Sequence, residues 1–146
     1  MKIDVYKEFN NDLESIWVKF EKDAVMTPFQ THAWLSHWQH TVGIPLQKIH
    51  PQIVLLRKNG EIIAILPLCI YKQHGIKILQ WLGGVQSDYK APIIHRDWYS
   101  KGIDFQIIWQ NICNQLKPYN VIHLQSQPEM LGLLKNPFIT CFDTNH

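Results

Sequence analysis

Cysteine is scarce in this sequence: Cys69, Cys113 and Cys141 are odd in number, far apart and never in a CxxC pair. That usage fits a reducing compartment better than a disulfide framework. Long apolar runs are also missing. The longest, 62–70, is about half of what a membrane-spanning helix needs. The opening residues Met1-Lys2-Ile3-Asp4-Val5-Tyr6 contain no apolar h-region, so no signal peptide is expected. Lys and Arg never exceed two in a row and the formal charge is only +2, which leaves no footprint for a nucleic-acid backbone. These absences together predict a cytoplasmic protein with no membrane insertion and no nucleic-acid partner.

What is present is enough apolar matter for a core. The chain has 146 residues, 46% of them hydrophobic and 18% charged, the profile of one globular domain. Ile3 and Val5 alternate with polar neighbours and predict a strand over 2–6. Asn10 or Asn11 caps a helix with Leu13, Ile16, Trp17, Phe20 and Ala24 on one face, stopped by Thr27-Pro28. A second helix starts near Thr31, sets Trp34, Leu35, Trp38 and Val42 on one face, and ends with Gly43 as its C′ residue.

The centre changes period. Ile53-Val54-Leu55-Leu56 and Ile62-Ile63-Ala64-Ile65-Leu66 flank Asn59-Gly60, the pair that type I′ hairpin turns favour. A turn at His74-Gly75 leads into a third antiparallel strand over 76–82. The first two runs are apolar without alternation, so both faces of the sheet must be covered, and a helix layer on each side would do that. Pro67 cannot donate to a ladder and should mark a bulge or an edge. Further expectations are a short strand at 92–94, a helix over about 100–116 burying Phe105, Ile108, Trp109, Ile112 and Leu116, a strand over 121–124 and a short helix over 128–134. Residues 138–142 look like the start of a strand. The fold class is therefore α/β, with a mixed, largely antiparallel central sheet and helices on both faces.

No complete catalytic constellation is legible. His37 and His40 lie three apart, with His32 and His50 near in sequence, but no HExxH or neighbouring Cys joins them, and solvated histidines without a metal are expected. No GxSxG elbow occurs; Ser87 with His74 or His95 is a pairing that eight histidines make easy to invent. Glu8, Asp12, Glu14, Glu21 and Asp23 read as a solvated face of the first helix. The segment Gln80-Trp81-Leu82-Gly83-Gly84-Val85-Gln86-Ser87-Asp88-Tyr89 differs in kind. It follows a strand, places two glycines together where backbone can take positive φ and approach a ligand, and then presents Asp and Tyr. Trp81, Gly83, Gly84, Asp88 and Tyr89 are the candidate substrate-binding residues; a tight turn with Asp88 capping it is the competing reading. Trp81 and Trp98 flank that loop, whereas Trp17, Trp34, Trp38 and Trp109 fall at core spacing.

Three segments carry a family resemblance. Phe29-Gln30-Thr31-His32-Ala33-Trp34-Leu35 with Trp38 resembles an F-x-S/T-x-x-W-L-x-x-W helix start. The strand reaching Ile65-Leu66-Pro67-Leu68 resembles A-x-L-P-L, and Leu79-Gln80-Trp81-Leu82-Gly83-Gly84 with Asp88-Tyr89 resembles L-x-F/W-L-G … D-Y. In that order they are similar to the GNAT-type acetyltransferases associated with bacterial cellulose biosynthesis, relatives of the Fem-type peptidyltransferases. The resemblance implies that 1–146 is one GNAT-like domain, the amino-terminal half of a longer tandem protein whose carboxy-terminal GNAT domain binds acetyl-CoA or another acyl-CoA. It implies acyl transfer to a saccharide or amino-sugar acceptor, with this domain supplying cleft surface. A non-catalytic binding or scaffold module that keeps the fold is the alternative. An R/Q-x-x-G-x-G/A phosphate loop is matched at Gln80 and Gly83 but fails at Val85, so no coenzyme is expected on this chain alone. An apolar end at 138–142, if bare, would also favour self-association.

Overall fold

The computed structural model describes residues 1–84, 90–125 and 127–142. Its centre is a seven-stranded, largely antiparallel sheet with the strand order β1-β3-β4-β5-β7, and with β2 and β6 attached beside β4. The strands are β1 (Lys2–Tyr6), β2 (Ala24–Val25), β3 (His50–Lys58), β4 (Glu61–Gln73), β5 (Ile76–Trp81), β6 (Ile93–His95) and β7 (Val121–Ile122). Only β5 and β7 run parallel, pairing Ile78 with Val121 and Leu79 with Ile122. The helices are α1 (Asn11–Glu21), α2 (His32–Trp38), α3 (Phe105–Leu116) and α4 (Pro137–Phe142). Among the described residues no helix is long and apolar enough to cross a membrane.

The unbroken apolar runs of β3 and β4 are explained by two cores, one on each face. Val54, Leu56, Ala64, Leu66 and Leu68 pack with α3 and with Phe138 of α4. Their neighbours Ile53, Leu55, Ile65 and Cys69 pack with Leu13, Trp17 and Phe20 of α1 and with Leu35 and Trp38 of α2. Successive strand side chains point to opposite faces, so only a fully apolar run can serve both layers. Both turns form as expected, with Asn59 (φ 53) and Gly60 (φ 82) in the first and His74 (φ 51) and Gly75 (φ 80) in the second. The one register shift lies between Leu56 and Arg57, opposite Ile63.

Several elements depart from the sequence pattern. The α1 helix, capped by the Asn10 side chain on the Leu13 N–H at 2.9 Å, stops at Glu21. Ala24 does not extend it, because Ala24 and Val25 pair with His95 and Ile94 of β6. The α2 helix does not end at Gly43. It widens into a π-helix over Gln39–Gln47, and the left-handed residue that terminates it is Lys48 (φ 52). Gly43 is there for space: a Cβ on it would sit 2.3 Å from Gln39 Oε1. No helix forms over 128–134. Met130–Leu131 and Leu134–Lys135 make a small hairpin (β8 and β9) around Gly132 (φ 59). Residues 138–142 are helical, not extended. Buried Asn136 accepts from the Phe138 N–H through Oδ1 and donates to Gln127 Oε1 and the Pro128 carbonyl, starting α4 at Pro137. Phe138 consequently lies in the core, 4.8 Å from the ring centres of both Phe105 and Trp109.

Candidate functional site

The β4 strand changes partner partway along, and this creates the site. On the side away from β3 it pairs with β5 from Leu68 onward, but with β6 at Ala64 and Ile65. Pro67 stands at the switch. Its carbonyl accepts from the Leu82 N–H at 2.9 Å, so its nitrogen, on the same side of the strand, faces the gap between β5 and β6. Pro67 is thus neither at a bulge nor on an outer edge; it occupies the place in a central strand where no donor is needed.

Beyond Leu82 the chain turns away through Gly83 (φ 107) and Gly84 (φ 54), conformations that side chains with a Cβ resist. It returns at Lys90 and Ala91. The return is pinned by Gln30, which is buried: its Nε2 donates to the Ala91 carbonyl at 3.0 Å, while its Oε1 accepts from the Thr27 N–H at 3.0 Å. The loop mouth therefore has Pro67 and Leu82 on one side and Gln30 and Ala91 on the other.

Of the five candidate residues, Gly83 and Gly84 form this mouth. Trp81 lies beneath it with its ring in the α3-side core, 5.7 Å from Phe138, and its Nε1 has no hydrogen-bond partner among the described residues. Asp88 and Tyr89 lie outside the described residues, as do Ser87 and Val85. Trp98, on the far flank, is buried against Phe105.

Two residues of the site escaped sequence reasoning. Gln30 stands at an unspecified position of the helix-start pattern; a polar residue between Pro28-Phe29 and an apolar helix is its only signal. Lys90 is half-buried where the loop returns, and burial lowers its pKa below the ordinary lysine value. Its signal was a lysine leading the apolar run Ala91-Pro92-Ile93-Ile94. Nearby Cys69 is fully buried with its Sγ 3.7 Å from the Trp81 carbonyl. Burial pushes that thiol up to about 12, so it stays protonated and is no nucleophile.

The histidines and acids are partly re-sorted. His37 and His40 are exposed, but His32 is buried against Phe9 and Trp17 at 5.4 and 5.7 Å, and burial lowers its pKa. Glu21 is not merely solvated: it accepts from the His32 N–H at 2.8 Å and so helps start α2. Asp23 pairs with Arg96 at 3.0 Å. Among the described residues no three His, Cys, Asp or Glu converge as a metal set would. A separate cleft of about 660 Å³ opens at the far end of β6, over Ile16, Phe20 and Ile62. Its guanidiniums are already engaged, Arg96 by Asp23 and Arg57 by Asp4 at 3.1 Å. His95 Nδ1 accepts from the Asp97 N–H at 3.0 Å, which leaves the neutral ring's proton on Nε2.

A scan against protein-family models finds no match, and a search of the curated proteins finds none. Among solved structures the chain is similar to the crystal structure of a Trypanosoma brucei acetyltransferase, at 14% identity over 94% of this chain and 87% of that one, with a TM-score of 0.48. A likeness that loose assigns no role to any residue here.

Proposed function

We propose that this chain is a GNAT-like α/β domain of a cytoplasmic acyltransferase, and that the turn after β5 lines the cleft for its acceptor. The observation that carries this reading is the convergence of the three segments that resemble the family. Gln30 of the first holds Ala91, and Pro67 of the second holds Leu82 of the third, so all three meet at one loop mouth. In such a transfer an acceptor amine or hydroxyl would attack the acyl thioester carbonyl, the C–S bond would break with the coenzyme leaving as its thiol, and a general base would remove the acceptor's proton. Asp88 and Tyr89 are proposed for acceptor contact on the resemblance, and Lys90 for proton transfer on its lowered pKa.

The residues present do not fit a coenzyme diphosphate. After Gly83 and Gly84 the chain leads to β6, and among the described residues the next α-helix is the one that begins at Phe105. The N-terminus of that helix is already capped by a carboxylate, since Asp104 Oδ1 accepts from the Ile107 N–H. An anionic cap there opposes a second anion. On the resemblance, acyl-CoA is proposed to bind a carboxy-terminal GNAT domain of the same protein, and the acceptor to be of the saccharide or amino-sugar class. The edge strand β7, with Val121 and Ile122 exposed, supports a partner domain alongside the sheet.

The test is Asp88→Ala in a protein carrying both domains. Turnover should fall by ~10²–10⁴-fold, as for loss of a positioned proton-transfer or orienting group, with the melting temperature nearly unchanged. Lost stability with normal turnover per folded molecule would make the loop a plain turn and the chain a non-catalytic module.

A further inference from the structure

We infer that a second site, at the other end of β5 from the loop mouth, binds a small phosphate-bearing ligand. A cleft of about 320 Å³ opens there between the end of α3 and the sheet. Its floor is one face of three adjacent strands: His50 and Gln52 of β3, Ile70 and Lys72 of β4, and Lys77 of β5. Its walls are Lys7 and the end of α3, Gln115 and Leu116, with Lys117 and Pro118 after it. Four lysines line it and no carboxylate does. None of the four is ion-paired among the described residues.

The register sharpens the point. Lys72 and Lys77 are direct partners across the β4–β5 ladder. Like charges directly opposite on neighbouring strands destabilise a sheet, and among the described residues no carboxylate pairs with either lysine. The carbonyl end of α3 supplies roughly half a unit of negative charge, which offsets only a fraction of four ammonium groups. An anion in the cleft would complete the balance, with the amides of Gln52 and Gln115 available to its polar remainder.

The size and surroundings favour a small ligand. The cleft lies at the lower end of the range for small-molecule sites, roughly 300–1,000 Å³. Outside it, the described arginines Arg57 and Arg96 are paired with Asp4 and Asp23 and do not extend its charge for a polyanion to follow.

Calorimetric titration with inorganic pyrophosphate tests this. The expected result is saturable binding at one site that weakens as salt is added. Lys72→Gln and Lys117→Gln should each reduce affinity by at least ~10-fold, the scale of a lost charge-assisted hydrogen bond. Lys135→Gln, on exposed β9, should leave it within about two-fold. Without ligand, Lys72→Gln should melt no lower than the parent, because it relieves the cross-strand repulsion. Absence of saturable heat, equal weakening by Lys135→Gln, or a lower melting point for unliganded Lys72→Gln would each overturn the assignment.

Discussion

Replacing Gln30 by Met keeps the length of the side chain but removes both of its hydrogen bonds. The residue is 2% exposed, and its bond to the Ala91 carbonyl is buried from water, while the one from the Thr27 N–H is part-buried. The Thr27 N–H and the Ala91 carbonyl would both be left without the partner they have now. An unsatisfied buried carbonyl costs about 1–3 kcal/mol and the part-buried N–H adds about 1 kcal/mol, which gives ~2–4 kcal/mol in all. Against a typical domain stability of ~5–15 kcal/mol that is a large share, and it corresponds to a melting point lower by on the order of 10 °C. Gln30→Glu provides the internal control. Its carboxylate can still accept from Thr27, but it faces the Ala91 carbonyl unless protonated. The buried carboxyl should therefore hold a pKa above its unfolded value. Its contribution is then fully present below about pH 4.3 and lost as pH rises through the folded pKa. Thermal melts of both variants across pH, with hydrogen exchange at the Thr27 amide, read this directly. If Gln30→Met melts within about 2 °C of the parent, equivalent to under ~1 kcal/mol, Gln30 does not tie the helix start to the loop and the convergence argument fails.

Gly43→Ala should lower stability by ~1–3 kcal/mol although helix propensity alone favours Ala by up to ~1 kcal/mol. The new Cβ meets the buried Gln39 side chain, whose Nε2 is held by the Ile49 carbonyl at 2.8 Å. A urea midpoint that rises would show Gln39 is free to move; Gln39→Ala in the same chain should relieve the loss. His32 gives a pH dependence. Its folded pKa is lowered by burial, so below its unfolded value of about 6.5 the unfolded chain binds more protons. Stability from this site is complete above that pH and falls as pH drops through the folded pKa. His32→Phe should flatten that limb, and an unchanged slope between pH 7.5 and 5 would count against it.

The central strands, both turns, the α1 cap and the α3 face were legible because each rests on local chemistry. Asn59-Gly60 needs only its own backbone, and the Phe105, Ile108, Trp109, Ile112, Leu116 spacing needs only a helical period. The failures share a cause: contacts distant in sequence. Ala24 fits the α1 stripe, but β6 claims it. Gly43 looks like a helix stop because its real constraint, the Gln39 amide, is invisible in a linear reading. Residues 138–142 carry a strand-like composition, yet Asn136 and the aromatic pocket around Phe138 select a helix. At the candidate site the glycine turn was readable from composition. Gln30 and Lys90 were not, because a buried bond to Ala91 and a half-buried amine follow from packing.

The two-sided core has a consequence for how the sheet finds its alignment. Where one face of a strand is wet, a slip of one residue throws every apolar side chain into water, and burial itself enforces the pairing. Here β3 and β4 are apolar on both faces, so a slipped pairing of 53–56 against 64–68 would still bury hydrophobic groups on each side. Hydrophobicity thus carries little of the information that sets the pairing. That information resides in a few backbone positions: the left-handed pairs Asn59-Gly60 and His74-Gly75, and the extra residue opposite Leu56 and Arg57. Two exposed turns and one buried extra residue, Ile63, thus dictate the phase of the most buried strands.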